Sequence, residues 1–149
     1  MPDPHDLNRF LTAQSAVYSQ VLAELEAGEK RSHWIWFIFP QLKGLGRSTQ
    51  SEFYGIGSLA EAQAYAQHPI LGPRLEQCTM LVNLVEKRTI HQILGSPDDL
   101  KFRSSMTLFA HATTCNATFL EALHKFCGGK FDPATLHILE TDRSQLGES

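Results

Sequence analysis

The chain is poor in cysteine, poor in charge and without a long apolar run, and each scarcity excludes a class of protein. Cys78, Cys115 and Cys127 are the 3 cysteines of 149 residues, an odd number with no CxxC pair. Neither a disulfide framework nor a zinc ribbon fits that spacing, so reduced, buried thiols are expected. The longest apolar run, Trp34 to Phe39, falls far short of the roughly 20 residues that span a bilayer. Met1 to Asp6 is acidic and lacks the apolar centre of a secretory signal. A cytoplasmic protein with no membrane partner is therefore expected. Charged residues make up 19% of the chain, and 13 basic against 16 acidic residues leave a net charge of -3. No overall positive field draws such a chain to nucleic acid. The 7 histidines are scattered, with no HExxH and no Cys/His cluster at zinc spacing, so no metal and no cofactor is expected. A GxSxG elbow, a Walker loop and a dinucleotide-binding fingerprint are also missing.

What is there is a helical pattern with 42% hydrophobic residues, enough for one domain with its own core. Leu7, Phe10, Leu11, Val17, Tyr18, Val21, Leu22 and Leu25 recur at three- and four-residue steps. They predict a first helix over about residues 6 to 27, with Asp6 as N-cap and Gly28 as terminator. Ser58-Leu59-Ala60-Glu61 has capping-box spacing and predicts a short helix to about Gln67. Gly72-Pro73 offers the next start, followed by Leu75, Cys78, Val82 and Val85. Thr89 caps another short helix that Gly95 ends. Ser96-Pro97-Asp98-Asp99, Asn116 and Asp132-Pro133 each open a further one. Trp34-Ile35-Trp36-Phe37-Ile38-Phe39 has strand-like content, but a lone strand has nothing to pair with, so a short buried helix is preferred. The expectation is an all-α, compact multihelical domain over residues 1–140. It should have about six to eight helices, no substantial sheet and a flexible polar tail at 141–149. Trp36, Phe37, Phe39, Phe102, Phe109 and Phe126 should be buried in one cluster.

Residues 28 to 57 do not read as scaffold. Lys30, Arg31, Lys43 and Arg47 against Glu29 make the stretch locally basic. Gly44 and Gly46 allow close backbone approach to a ligand. Ser48 and Thr49 add hydroxyls, and Phe53-Tyr54 add rings. That set suits a phosphate or another anion, although glycines between helices also serve as plain turns. A second segment, Asp98 to Thr107, packs two acids, two bases and several hydroxyls together. On a helix Lys101 and Arg103 are about 200° apart and point to opposite sides. If the two segments converge, they form one anion site. Its candidate ligand-binding residues are Trp34, Gln41, Lys43, Arg47, Ser48, Lys101, Arg103 and Ser104. The acid–base candidates are His33, Asp98 and Asp99.

Two long blocks carry a family resemblance. Arg31-Ser32-His33-Trp34-Ile35-Trp36-Phe37-Ile38-Phe39-Pro40-Gln41-Leu42-Lys43-Gly44-Leu45-Gly46-Arg47-Ser48 is one, and Gly95-Ser96-Pro97-Asp98-Asp99-Leu100-Lys101-Phe102-Arg103-Ser104-Ser105-Met106 is the other. With Asp6 to Phe10, His68 to Leu75 and Phe126 to Pro133, they resemble domain-of-unknown-function family 1810 over about residues 3 to 139. The resemblance implies a multihelical bacterial domain and carries no established activity. Some members bear the label calpastatin, but calpain inhibition needs an extended, disordered inhibitor, and this chain reads as folded. A weaker likeness to NADAR-type helical proteins, which act on N-glycosidic bonds of ribose-phosphate compounds, has no motif that transfers catalytic residues. Three readings follow from the residues and the likenesses together. One is a binder of a phosphorylated or nucleotide-like small molecule. Another is a non-catalytic helical interaction module, such as a homodimer. The third is an N-glycosidase-type hydrolase acting on ribose-phosphate or ADP-ribose compounds.

Overall fold

The computed structural model describes residues 3–145, and in it the chain is all-α. Nine helices run among the described residues. They are α1 (Asn8–Glu26), α2 (Ile35–Ile38), α3 (Thr49–Phe53), α4 (Leu59–Gln67), α5 (Leu71–Leu84), α6 (Ile90–Leu94), α7 (Asp98–Ala112), α8 (Ala117–Cys127) and α9 (Pro133–Gln145). The count exceeds the expected range by one, because a very short helix that was not expected, α3, interrupts the segment between α2 and α4. The apolar block is helical, as preferred. The only extended pairing among the described residues is a single parallel bridge between Leu42 and Ile56.

The local signals account for most of the ends. Ser48, Ser58 and Thr89 accept the backbone N–H three residues on, at Ser51, Glu61 and Gln92. Thr89 and Gln92 complete a reciprocal capping box. Glu61 does not close the second half of its box. Its Oε1 accepts from Gly57 N and its Oε2 from Arg9. Asp6 is not the cap of α1 either. It has φ 50°, and the Asp3 carboxylate accepts from Leu7 N and Asn8 N instead. α5 starts at Leu71, placing Pro73 inside its first turn. Ser96 gives no side-chain cap to α7, which begins at Asp98 behind a cis Ser96–Pro97 bond. α9 continues to Gln145, and its Asp142 accepts from Leu59 N at the start of α4. Residues 146–149 of the expected tail lie outside the described residues.

One core joins all these elements except α3. α7 is its axis: it packs against α4, α8, α6, α9 and α2, while α5 closes the far side against α1, α4 and α8. Phe102, Ser105, Met106, Leu108 and Phe109 of α7 are fully buried. Phe39 meets Phe102 edge-on at 4.9 Å, and Phe10 meets Tyr65 in the same way at 5.0 Å. Of the six aromatics expected in the core, Phe37, Phe39, Phe102 and Phe109 are buried. Trp36 and Phe126 are only partly buried against it. For Trp36 the reason is its position on α2, where it faces a cavity rather than the centre.

The cysteines divide three ways. Cys78 is buried, Cys127 partly so, and Cys115 is exposed; all three are free thiols. The expectation of buried thiols therefore holds for Cys78 alone, since Cys115 sits in the loop between α7 and α8. No described helix is long and apolar enough to cross a membrane.

Candidate functional site

The turn between α1 and α2 is held by one carboxylate. Glu24, near the end of α1, is 7% exposed. Its Oε1 accepts from Arg31 N, Ser32 N and Trp34 Nε1, at 2.7, 3.1 and 2.9 Å. Its Oε2 accepts from Ser32 Oγ and Gln20 Nε2. Burial on its own would raise the acid's pKa. The hydrogen bonds from Ser32, Arg31 and Trp34 outweigh it and hold the pKa down to about 2. Lys30, next in the turn, reaches α7 and forms an ion pair with Asp98 at 2.8 Å, its side chain only 6% exposed.

The segment leaving α2 is pinned to the start of α4. Gln41 O accepts from Ile56 N, and Ile56 O accepts from Lys43 N. Between these strands of chain, the Gly46 Cα lies so close to Ser51 that an added methyl would sit 2.3 Å from Ser51 Oγ. The glycine thus makes room for a serine side chain. Ser51 Oγ in turn stands 3.5 Å from Lys101 Nζ.

These three pieces of chain meet at Lys101, in the first turn and a half of α7. A cavity of about 10 Å³, room for about one water, opens beneath it, lined by Ile35, Trp36, Phe39, Gln41, Ser51, Tyr54, Gly55 and Lys101. On one side a polar cleft runs past Lys30, Arg31, Ser32, His33, Trp36, Ser48 and Asp98. On the other a groove runs past Gln41, Leu45, Pro97, Leu100, Ser104 and Asp132. Lys101 lines all three concavities.

The candidate residues fall into two groups. Gln41, Ser48, Lys101 and Ser104 line the concavities, as does His33. Trp34 is 1% exposed and spends its indole N–H on Glu24, so it shapes the turn without facing the basin. Lys43 and Arg47 are exposed and line none of these concavities. Arg103 is turned the other way, as helical geometry requires, and donates to the carbonyls of Lys130 and Phe131. Asp98 lines the cleft as the partner of Lys30, while Asp99 pairs with His91 at 3.3 Å.

Three residues of the site were not singled out for it by sequence: Trp36, Ser51 and Asp132. Trp36 reads as core from its apolar neighbours, and Asp132 reads only as a cap. The available signal was the α2 register, which sends Trp34 and Trp36 to different sides of a short helix.

Two donors in the basin have no partner of matching strength. Trp36 Nε1 is buried without a hydrogen bond. Lys101 forms none of the ion pairs among the described residues, and its nearest hydrogen-bond partner is the neutral Ser51 hydroxyl.

The fold and the basin define a helical domain with a partly enclosed, cation-bearing pocket. The chain belongs to the family described as "Protein of unknown function (DUF1810)", whose profile matches residues 4–139. It is similar in structure to the conserved hypothetical protein Rv1873 from Mycobacterium tuberculosis, with 57% sequence identity and a TM-score of 0.92. That likeness covers 93% of this chain and 99% of the other. No curated protein matches the chain.

Proposed function

We propose that the chain binds a small phosphorylated molecule in the basin around Lys101. One observation carries this reading: the unpaired Lys101 ammonium and the orphan Trp36 indole N–H line the same cavity and the same cleft. A buried donor left unmade costs about 1–3 kcal/mol. An incoming phosphate oxygen would relieve that cost and neutralise the lysine in one step. Asp98 does not oppose the anion strongly, because Lys30 already balances its charge at 2.8 Å. Ser48 and His33 supply further hydrogen-bonding groups along the cleft.

Binding is preferred over hydrolysis on the state of the acid–base candidates. Asp98 and Asp99 are both paired, which leaves His33 as the one candidate in the cleft without a described partner.

The test is thermal unfolding in the presence of inorganic phosphate, pyrophosphate and AMP. Millimolar phosphorylated probe should raise the Tm of the parent chain, since a ligand selective for the native state stabilises it by mass action. Lys101→Met should abolish the rise. Trp36→Phe, which keeps a ring and removes the N–H, should weaken it several-fold. A parent that responds to none of these probes, or a Lys101→Met variant that responds as the parent does, overturns the reading.

A further inference from the structure

Resting on that reading, we infer that the ligand carries a hydroxylated arm beside its phosphate, as a sugar phosphate or other polyol phosphate does, and that Asp132 binds its hydroxyls. The outer groove leads from Lys101 to Asp132 with Ser104 between them. Ser104 follows Lys101 by one turn of α7, roughly 4.5 Å of rise. Its hydroxyl shares its one proton between Leu100 O at 3.2 Å and Asp132 Oδ2 at 3.1 Å. The same oxygen also accepts from Thr135 N at 3.0 Å and from Thr135 Oγ1 at 2.5 Å. Asp132 N donates to Thr107 Oγ1. Backbone and side chain are thus fixed from several sides.

All three of those donors converge on Oδ2. Oδ1 takes no hydrogen bond among the described residues, although each carboxylate oxygen has lone pairs for two. Lys101 does not fill it, since the two residues form no ion pair across the groove. An immobilised carboxylate with an idle oxygen attracts neutral donors and repels a second anion. From cavity to groove the order is therefore cation, then acceptor. The complementary ligand is an anion followed by hydroxyls. Leu45 and Leu100 border the path, and Leu100 is 62% exposed, giving an apolar wall for a carbon skeleton.

Titration calorimetry with three probes tests this: inorganic phosphate, propyl phosphate and glycerol 3-phosphate. The last two differ in their hydroxyls. The parent chain should bind glycerol 3-phosphate at least about tenfold more tightly than propyl phosphate. Asp132→Asn leaves an amide oxygen for the three existing bonds and puts a donor where Oδ1 was. It should erase the advantage of glycerol 3-phosphate over propyl phosphate, two probes that carry the same phosphate charge. Equal affinity of the parent for the two organic phosphates overturns the inference, and does so even if the variant fails to fold. An Asp132→Asn variant that keeps the advantage overturns it too. Where inorganic phosphate binds but hydroxyls add nothing, the phosphate site stands and this inference falls. Where no phosphorylated probe binds, both fall.

Discussion

Replacing Glu24 by Gln should loosen the turn that carries Lys30 and α2, and the loss should disappear in acid. The side chain keeps its shape, and its amide oxygen can still accept from Arg31 N, Ser32 N and Trp34 Nε1. What goes is the charge that strengthens those bonds, along with an acceptor for Ser32 Oγ and Gln20 Nε2. The native carboxyl titrates at about 2 against an ordinary value of 4.5. At about 1.4 kcal/mol per pH unit, this makes the ionised group worth about 3 kcal/mol at neutral pH. Because the native pKa is depressed, that stability is fully present above pH 4.5 and is lost as the pH falls towards 2. The variant, a permanent mimic of the protonated acid, loses nothing over that window. Urea unfolding followed by circular dichroism should therefore separate the two chains by about 3 kcal/mol at pH 7 and by about 1 kcal/mol at pH 3. At neutral pH the Tm should drop by roughly 6–12 °C. A difference that stays constant from pH 7 to pH 3, or one below about 0.5 kcal/mol at pH 7, would refute the assignment of Glu24 as the charged anchor of the turn.

Lys30→Met should destabilise the chain by about 3 kcal/mol in the same assay, because it strands the Asp98 carboxylate beside α6 and α7 without its partner. Phe39→Ala, at a side chain 1% exposed and stacked edge-on against Phe102, should cost about 3–5 kcal/mol. Gly46→Ala should push Ser51 out of place and lower phosphate affinity, read by calorimetry, with little change in helical content. Thiol titration should show Cys115 reacting at once and Cys78 only on unfolding. Burial pushes the Cys78 thiol up to about 12, although a hydrogen bond with Tyr18 and the nearby Arg74 charge oppose the rise.

The helices were legible from the chain because their signals are local. Thr89 finds Gln92 and Ser58 finds Glu61 within one turn, and Asp132 caps α9 through Thr135. Such bonds form wherever the backbone turns helical, whatever lies across the core. The opposite directions of Lys101 and Arg103 were legible for the same reason, since a 200° separation belongs to any α-helix. One element escaped notice for want of period: α3 is too short to show one. Whether Lys43 and Arg47 face the basin depended on the Leu42–Ile56 bridge, a pairing made across the α3 segment. Only the tertiary structure decided which tryptophan is satisfied. Trp34 meets Glu24, ten residues back on α1, while Trp36 meets nothing. It alone decided too that Asp132 would spend one oxygen on Ser104, 28 residues away, and keep the other. A residue type names the bonds a side chain is able to make. The packing of distant segments determines which of them remain unmade, and here those unmade bonds mark the proposed site.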